Sequence, residues 1–523
     1  MVTRQGVLLS FPAVLTKKGA IRRSEREIKE RFHFILNSRT VLLFEQIGYT
    51  NEGMASARVR KGKEGAMKKF NVMFLLGCAL VGTARTGVSD SKKAHLSNEW
   101  YPSDPEKLKK KLKELDDEAE SLYSAQVSGV RALIVPHAGL SYSGSLAAAC
   151  FRLLDKKKVR RIVLLGPSHL PFRGVILPSY SSYRLSSGVL PIDARVVREL
   201  ALEGAPFTLI AETKKDPHYK EHSLEVELPL IQEYTPRAKI VPIIVGSIEP
   251  QDVKKVSRAL KKYLDKETVV VVSTDFTHYG PRFDNVPFKV DQTTPLRIRA
   301  LDNGLLQPIF NRSLSQFLSH LSASESTMCG KNPLSVLLGL FEEGVFEKEV
   351  PYLIGYDTST TKKADDHKNS VSYVGMAFGK PHLGPVPMLT GYERRALVDL
   401  AYSVMENKLT GDIDQNLLLP LMTPNLQKPS RLFMALYKKT DPSFVNHHTG
   451  KQCEGETCES LYKAVMAEAE KGMSSFEKIK MTVADLRDVE IQISLITTEK
   501  APTTKTRKTI IAQSVHTTGM HYC

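Results

Sequence analysis

Seven side chains able to bind a metal or move a proton fall at or just beyond the ends of hydrophobic runs: His137, His169, Glu221, His222, Asp275, His278 and Cys329. Twice a run of strand length closes on Pro and then His: Ala132–Val135 delivers His137, and Ile162–Pro167 delivers His169. An imidazole supplies either a ligand nitrogen or a proton carrier near neutral pH. A lone His after a strand is more often an ordinary loop residue, but two with the same grammar, one βα unit apart, could converge on one point. Glu221 and His222 open a segment with an apolar stripe at Leu224, Leu228 and Ile231, and many of its charges read as a solvated face. The run Glu267–Gly280 again ends in titratable groups, Asp275 and His278. Asp at a strand end is commonly a cap, so its weight comes from being the third such end. Cys329-Gly330 stands just before a helical stretch with Pro333 in its first turn. A thiol there meets the positive end of the helix dipole, which predicts a lowered pKa and a thiolate able to bind metal or attack; the alternative is a small buried hydrophobe.

The elements that must position these groups follow from periodicity. Buried parallel strands read as unbroken Val/Ile/Leu runs, and ligands of open α/β sheets collect beyond the strands' carboxyl ends. Four such runs occur, at 132–137, 162–169, 238–246 and 267–280, separated by helical patterns that include Ser145–Leu154 as a crossover and 253–264 as an amphipathic helix. Ser103 or Asp104 caps a helix with Pro105 in its first turn and Leu108, Leu112 and Leu115 on one face. Two closing strands lie at 351–360 and 370–379. The alternation from 100 to 380 predicts one α/β domain with a largely parallel sheet flanked by helices. A linker at 381–387 (Pro381, Gly384, Pro385, Pro387) leads to a smaller α+β region at 388–502. It opens with a helix carrying a Thr390-x-x-Glu393 capping box and closes with a strand of period-two alternation at 489–502. The Thr/Lys-rich tail, 503–523, reads as disordered.

Composition bounds the rest. The 523 residues call for two or three domains, and 42% hydrophobic with 25% charged residues suits a globular protein. The net charge is +16, but residues 1–69 hold 15 Lys/Arg against 6 Asp/Glu and so carry +9 of it. Nucleic acid is therefore not an expected partner of the folded part. Six irregularly spaced cysteines (78, 150, 329, 453, 458, 523) make no disulfide framework. Cys453 and Cys458, with His447 and His448 just before them, are loosely zinc-like without a matching second pair. From Met67 to Ala84 the chain reads as a signal segment, with a lipoprotein-like Leu75-Leu76-Gly77-Cys78. This expects Met67 as the true start and 1–66 as a mis-called or disordered extension; otherwise 67–84 is an ordinary buried helix. Residues 85–98 read as a polar linker, with the domain beginning at Trp100. A secreted or membrane-anchored protein follows if Met67 is the start, and a cytoplasmic one otherwise.

Taken together, WYPSDPEKL, PHAGLSYSG, LLGPSHL, EHSLEVELP, STDFTHYG, STMCGKNPLSVLL and SVSY, in that order across 100–379, resemble the Memo family, also called AmmeMemoRadiSam system protein B. The resemblance implies a fold similar to the class III extradiol dioxygenases. It places His137, His169 and Cys329 at the metal-contacting positions and His278 at the acid/base position, with Asp275, Glu221 and His222 lining the same pocket. Leu170 and Glu227 stand where animal members carry histidines. Cys in place of the carboxylate of a facial triad shifts the expected metal to iron or copper. The implied function is a metal-binding redox protein. The alternatives are a non-haem iron dioxygenase-like enzyme or a non-enzymatic module that takes a peptide or small molecule in the same pocket. Residues 388–502 resemble a degenerate AmmeMemoRadiSam system protein A domain with GKQCEGETC in place of its glycine-cysteine signature. By family analogy a radical SAM partner is implied.

Overall fold

The computed structural model describes residues 91–523 apart from 211–216, 363–367, 384–387, 412, 439–440, 450–458, 477–481, 487, 500–507 and 518–523. The segment from Met67 to Ala84, the extension before it, and Cys453 and Cys458 lie outside the described residues. Among those described, no helix is long and apolar enough to cross a membrane.

The strands are β1 (Lys92–Lys93), β2 (Ala132–Val135), β3 (Arg161–Pro167), β4 (Val175–Pro178), β5 (Ser182–Leu185), β6 (Gly188–Pro191), β7 (Phe207–Ile210), β8 (Lys239–Val245), β9 (Thr268–Ser273), β10 (His278–Tyr279), β11 (Val350–Thr358) and β12 (Ser370–Gly379). A nine-stranded sheet runs β10-β12-β2-β9-β3-β8-β4-β7, with β11 also paired to β12. Its centre, β2-β9-β3-β8, is parallel, and β12 and β4 join it antiparallel. Those four central strands are the unbroken apolar runs, buried almost throughout, as strands covered on both faces must be. Helix Leu140–Phe151 packs on β2, β11 and β12, and helix Lys331–Glu342 on β3, β8 and β9. The fold is thus α/β with a largely parallel central sheet flanked by helices.

The structure corrects several boundaries. The crossover helix starts at Leu140, five residues before the expected Ser145, because the chain turns helical directly after Gly139. The supposed linker before Trp100 is part of the fold. Strand β1 pairs parallel with β5, Ala94 and Leu96 join the core, and the Lys92 side chain is buried against Glu225. Charged residues read as solvated when their partner lies more than a hundred positions away.

A second core gathers helix Gly391–Thr410, helix Leu461–Phe476, and strands β13 (Arg431–Lys438) and β15 (Val489–Glu499). With β14 (Asp441–Thr449) and β16 (Lys508–Thr517) these strands form an antiparallel sheet ordered β14-β13-β15-β16. Strand β16 overturns the disordered reading for residues 508–517 of the tail. The run Thr509-Ile510-Ile511 and Val515 is rich in β-branched residues, and it pairs with β15 from Glu499 to Ile491. The two cores meet along helix Thr294–Phe310, where Asn303 and Gln307 bond the backbone of Met422 and Arg299 bonds the carbonyls of Leu417 and Leu418.

Candidate metal centre

Three of the four central parallel strands continue, at one rim of the sheet, into the candidate residues. Strand β2 leads through Pro136 to His137, β3 through Ser168 to His169, and β9 through Thr274 to Asp275. Cys329 comes from the turn before helix Lys331–Glu342, held against β9 by Gly330, whose backbone N–H donates to Thr274 Oγ1 at 3.0 Å. A Cβ on Gly330 would lie 2.2 Å from Thr274 Cβ, so only glycine admits this approach.

One ligand atom from each of His137, His169 and Cys329 lies within 4.8 Å of the others. Cys329 Sγ is 3.2 Å from His137 Nε2. With metal–sulfur and metal–nitrogen bonds of about 2.3 and 2.0 Å, two ligands on one ion sit about 3.0–3.5 Å apart for angles between square and tetrahedral. The observed separation falls inside that range.

The opposite nitrogen of each imidazole is anchored. His137 Nδ1 lies 2.9 Å from Ser273 Oγ. His169 Nδ1 lies 2.7 Å from Glu221 Oε1, while Glu221 Oε2 accepts from the His169 backbone N–H at 2.8 Å. A carboxylate only accepts, so His169 carries a hydrogen on Nδ1 and offers Nε2 as its ligand atom, the arrangement a ligand histidine needs. His222 stacks on His169 with centroids 4.1 Å apart, and Trp100 stacks on the far face of His222 at 4.4 Å. His169, Glu221 and His222 form a second group whose ligand atoms lie within 4.8 Å of one another.

Asp275 binds the two sides together: Oδ1 accepts from the His137 backbone N–H at 2.9 Å, and its own N–H points at Cys329 Sγ at 3.2 Å. His278 Nδ1 lies 2.9 Å from the Phe276 carbonyl, which can only accept, so Nε2 of His278 is the basic nitrogen. These contacts join six of the seven residues singled out from sequence, and His278 lies within electrostatic reach of His137, His169 and His222. Two that sequence reading passed over also belong to this neighbourhood: Ser273, the last residue of β9, and Trp100, the chain's one tryptophan. Leu170 lies exposed on the rim.

Electrostatics separates the carboxylates. Burial pushes Asp275 up to about 7 despite the His137 N–H it accepts. Burial also raises Glu221, but the His169 hydrogen bond and charge overcome it and hold the carboxyl at about 2. Burial and neighbouring imidazoles hold His137 well below 6.5 and His222 at about 4, and burial lowers His278. The pocket histidines other than His169, whose position is set by Glu221, are thereby kept neutral with lone pairs available. The expectation of a lowered Cys329 pKa is overturned for the metal-free pocket. Burial, then the Asp275 carboxylate, push the thiol up, and the helix begins only at Lys331, too far to offset them. A cation among these ligands reverses that sense, since a coordinated thiol is deprotonated outright.

A strand-end His/His/Cys constellation on a largely parallel α/β sheet defines the class of fold and site. The Memo-like protein family matches residues 92–377, and the chain belongs to the Memo family. Protein memo-1 homolog of Caenorhabditis elegans is 29% identical over 301 residues, spanning 56% of this chain and 84% of that one. Protein MEMO1 of Mus musculus is 30% identical over 259 residues, spanning 48% of this chain and 84% of its own length; the Homo sapiens protein matches to the same extent. A crystal structure of uncharacterized protein JW3007 from Escherichia coli K12 aligns with 47% of this chain at a TM-score of 0.30 and 14% identity, too distant to bear on the chemistry.

Proposed function

We propose that this chain is a metal-binding redox protein in which His137, His169 and Cys329 hold one iron or copper ion. The observation that carries the reading is the clustering of two imidazoles and one thiol within 4.8 Å, with His169 anchored through its other nitrogen by Glu221. The donor set fits the ion: a soft sulfur and two imidazole nitrogens suit copper or iron better than magnesium or calcium. Such an ion would supply one-electron redox change and an open position for a ligand. The protein's part is to orient His169 through Glu221, to pair Cys329 with His137, and to keep Asp275 and His278 at the edge of the pocket. Metal analysis of protein purified anaerobically, wild type beside His137→Ala/Cys329→Ala, tests the reading. About one equivalent of iron or copper in wild type and none in the variant is expected; equal content in both refutes it.

A second reading is favoured by the His278 tautomer. With hydrogen on Nδ1 held by the Phe276 carbonyl, Nε2 is free to accept a substrate proton, the role of a general base in a dioxygenase-like enzyme. Oxygen uptake with catechol-like compounds by iron-loaded protein, lost in His278→Phe, tests it; no uptake across a broad panel removes it. The order helix Gly391–Thr410, strands β13 and β14, helix Leu461–Phe476 and strand β15 supports reading residues 388–502 as a degenerate AmmeMemoRadiSam system protein A domain, with both halves serving one process.

A further inference from the structure

One carboxylate fastens the chain's entry segment to the pocket wall. Glu225 closes the short helix that His222 opens, His222–Glu225, and its side chain is 1% exposed. Its Oε1 accepts from the backbone N–H groups of His95 and Leu96, both at 2.7 Å, and from the Tyr101 hydroxyl at 3.1 Å. Its Oε2 lies 3.3 Å from Lys92 Nζ and 2.7 Å from His95 Nδ1. Every one of these partners belongs to residues 92–101. The next-to-last residue of that segment is Trp100, whose ring stacks on His222, while its backbone carbonyl accepts from Leu140 N–H at 3.0 Å, three residues past His137. A stack of three rings results, Trp100 on His222 on His169, with the outer slab delivered by the segment that Glu225 holds.

We propose that Glu225 is a positioning residue: it clamps residues 92–101 onto the His222–Glu225 helix and so seats Trp100 as the slab that holds His222 against His169. His169 is oriented from two sides, by Glu221 on its Nδ1 edge and by the stacked rings on its face. Without the clamp the outer slab leaves, His222 gains freedom to tilt, and the face of His169 loses its backing. The consequence for metal affinity rests on the reading of His169 as a ligand; the placement of Trp100 does not.

Because Trp100 is the chain's one tryptophan, its emission reports on this stack alone. In metal-free protein, Glu225→Gln and Lys92→Met are each expected to shift the emission to longer wavelength and to raise acrylamide quenching about twofold or more. Unchanged emission and quenching in both variants, with the fold intact by circular dichroism, overturns the clamp. Anaerobic titration with ferrous iron supplies the second readout. Trp100→Ala and Glu225→Gln should each weaken binding about tenfold, in the range found for outer partners of metal ligands. Trp100→Phe should restore it, and the double variant Trp100→Ala/Glu225→Gln should lose no more than either single one. Full additivity of the two losses, or no rescue by Phe, refutes the route through Trp100. If neither ferrous iron nor, in a parallel titration, cuprous copper binds to any protein, wild type included, the metal reading fails while the emission measurement still decides the clamp. Should Glu225→Gln not fold, Lys92→Met and Tyr101→Phe carry the same test.

Discussion

Lys92→Met is expected to destabilise the protein by roughly 2–3 kcal/mol, although sequence alone places Lys92 in a solvated linker. Its Nζ lies 3.3 Å from Glu225 Oε2, and the two side chains are 2% and 1% exposed. Removing one member of a buried ion pair costs about 3–5 kcal/mol because the other charge stays in low dielectric. Here Glu225 keeps two backbone N–H donors and the Tyr101 hydroxyl, which puts the loss at or below the low end. A second route agrees. Burial would raise the Glu225 carboxyl, but the His95 hydrogen bond and the Lys92 charge outweigh it and bring it from 4.5 to about 2. That net depression, with the cost of burial already subtracted, is worth on the order of 3 kcal/mol, the same size as the loss expected for Lys92→Met. The sign follows: an acid depressed on folding adds stability that is fully present above about pH 4.5 and is lost as pH falls through about 2. Urea unfolding followed by Trp100 emission, at pH 7 and near pH 3, on wild type, Lys92→Met, Glu225→Gln and Lys92→Met/Glu225→Gln measures the coupling. The double variant should lose less than the sum of the two single losses, since the ion pair is already broken in each single variant. A Lys92→Met protein within about 0.5 kcal/mol of wild type, or strictly additive losses, would refute the reasoning.

Glu221→Gln removes the carboxylate 2.7 Å from His169 Nδ1 and should weaken iron binding about 10–100-fold with the fold retained; titration with ferrous iron measures it. Gly330→Ala would put a Cβ 2.2 Å from Thr274 Cβ, costing about 1–3 kcal/mol and displacing Cys329, so thermal unfolding and metal content should fall together. Glu227 is 1% exposed, burial holds its carboxyl well above 4.5, and its Oε2 finds no partner among the described residues. It behaves as a neutral acid, so Glu227→Gln should change stability by less than about 1 kcal/mol near pH 4. An acid raised on folding loses stability as pH climbs above about 4.5, so the variant should gain on wild type toward neutral pH in thermal unfolding; a variant that falls behind instead counts against a neutral Glu227.

Legibility in the sequence tracked the range of the physics. Strands β2, β3, β8 and β9 were readable because a strand buried on both faces must be apolar at every position, and the residue after each strand is then placed on one rim. His137, His169 and Asp275 were found that way. The capping box of Thr390 and Glu393 was equally local, and both of its bonds are made. Strand β1 was missed because Lys92, Lys93 and His95 look solvated until Glu225 is brought beside them. Strand β16 was missed because the Thr and Lys residues around it mask a short β-branched run. Trp100 and Ser273 carried no periodic signal; the one clue was that each sits inside a motif already singled out for a neighbour.

By itself the chain determined which residues stand at strand ends, because hydrophobic periodicity is a property of consecutive positions. It also determined the ligand chemistry on offer, two imidazoles and a thiol. Tertiary structure alone decided that the three meet within 4.8 Å, which faces of the rings stack, and which carboxyls stay charged. Burial and Coulomb energy depend on atoms far apart in sequence. The helix dipole argued for a Cys329 thiolate from local order, whereas the packing of Thr274, Asp275 and Gly330 around it gave a half-buried thiol with its pKa raised, a sense that a bound cation would reverse.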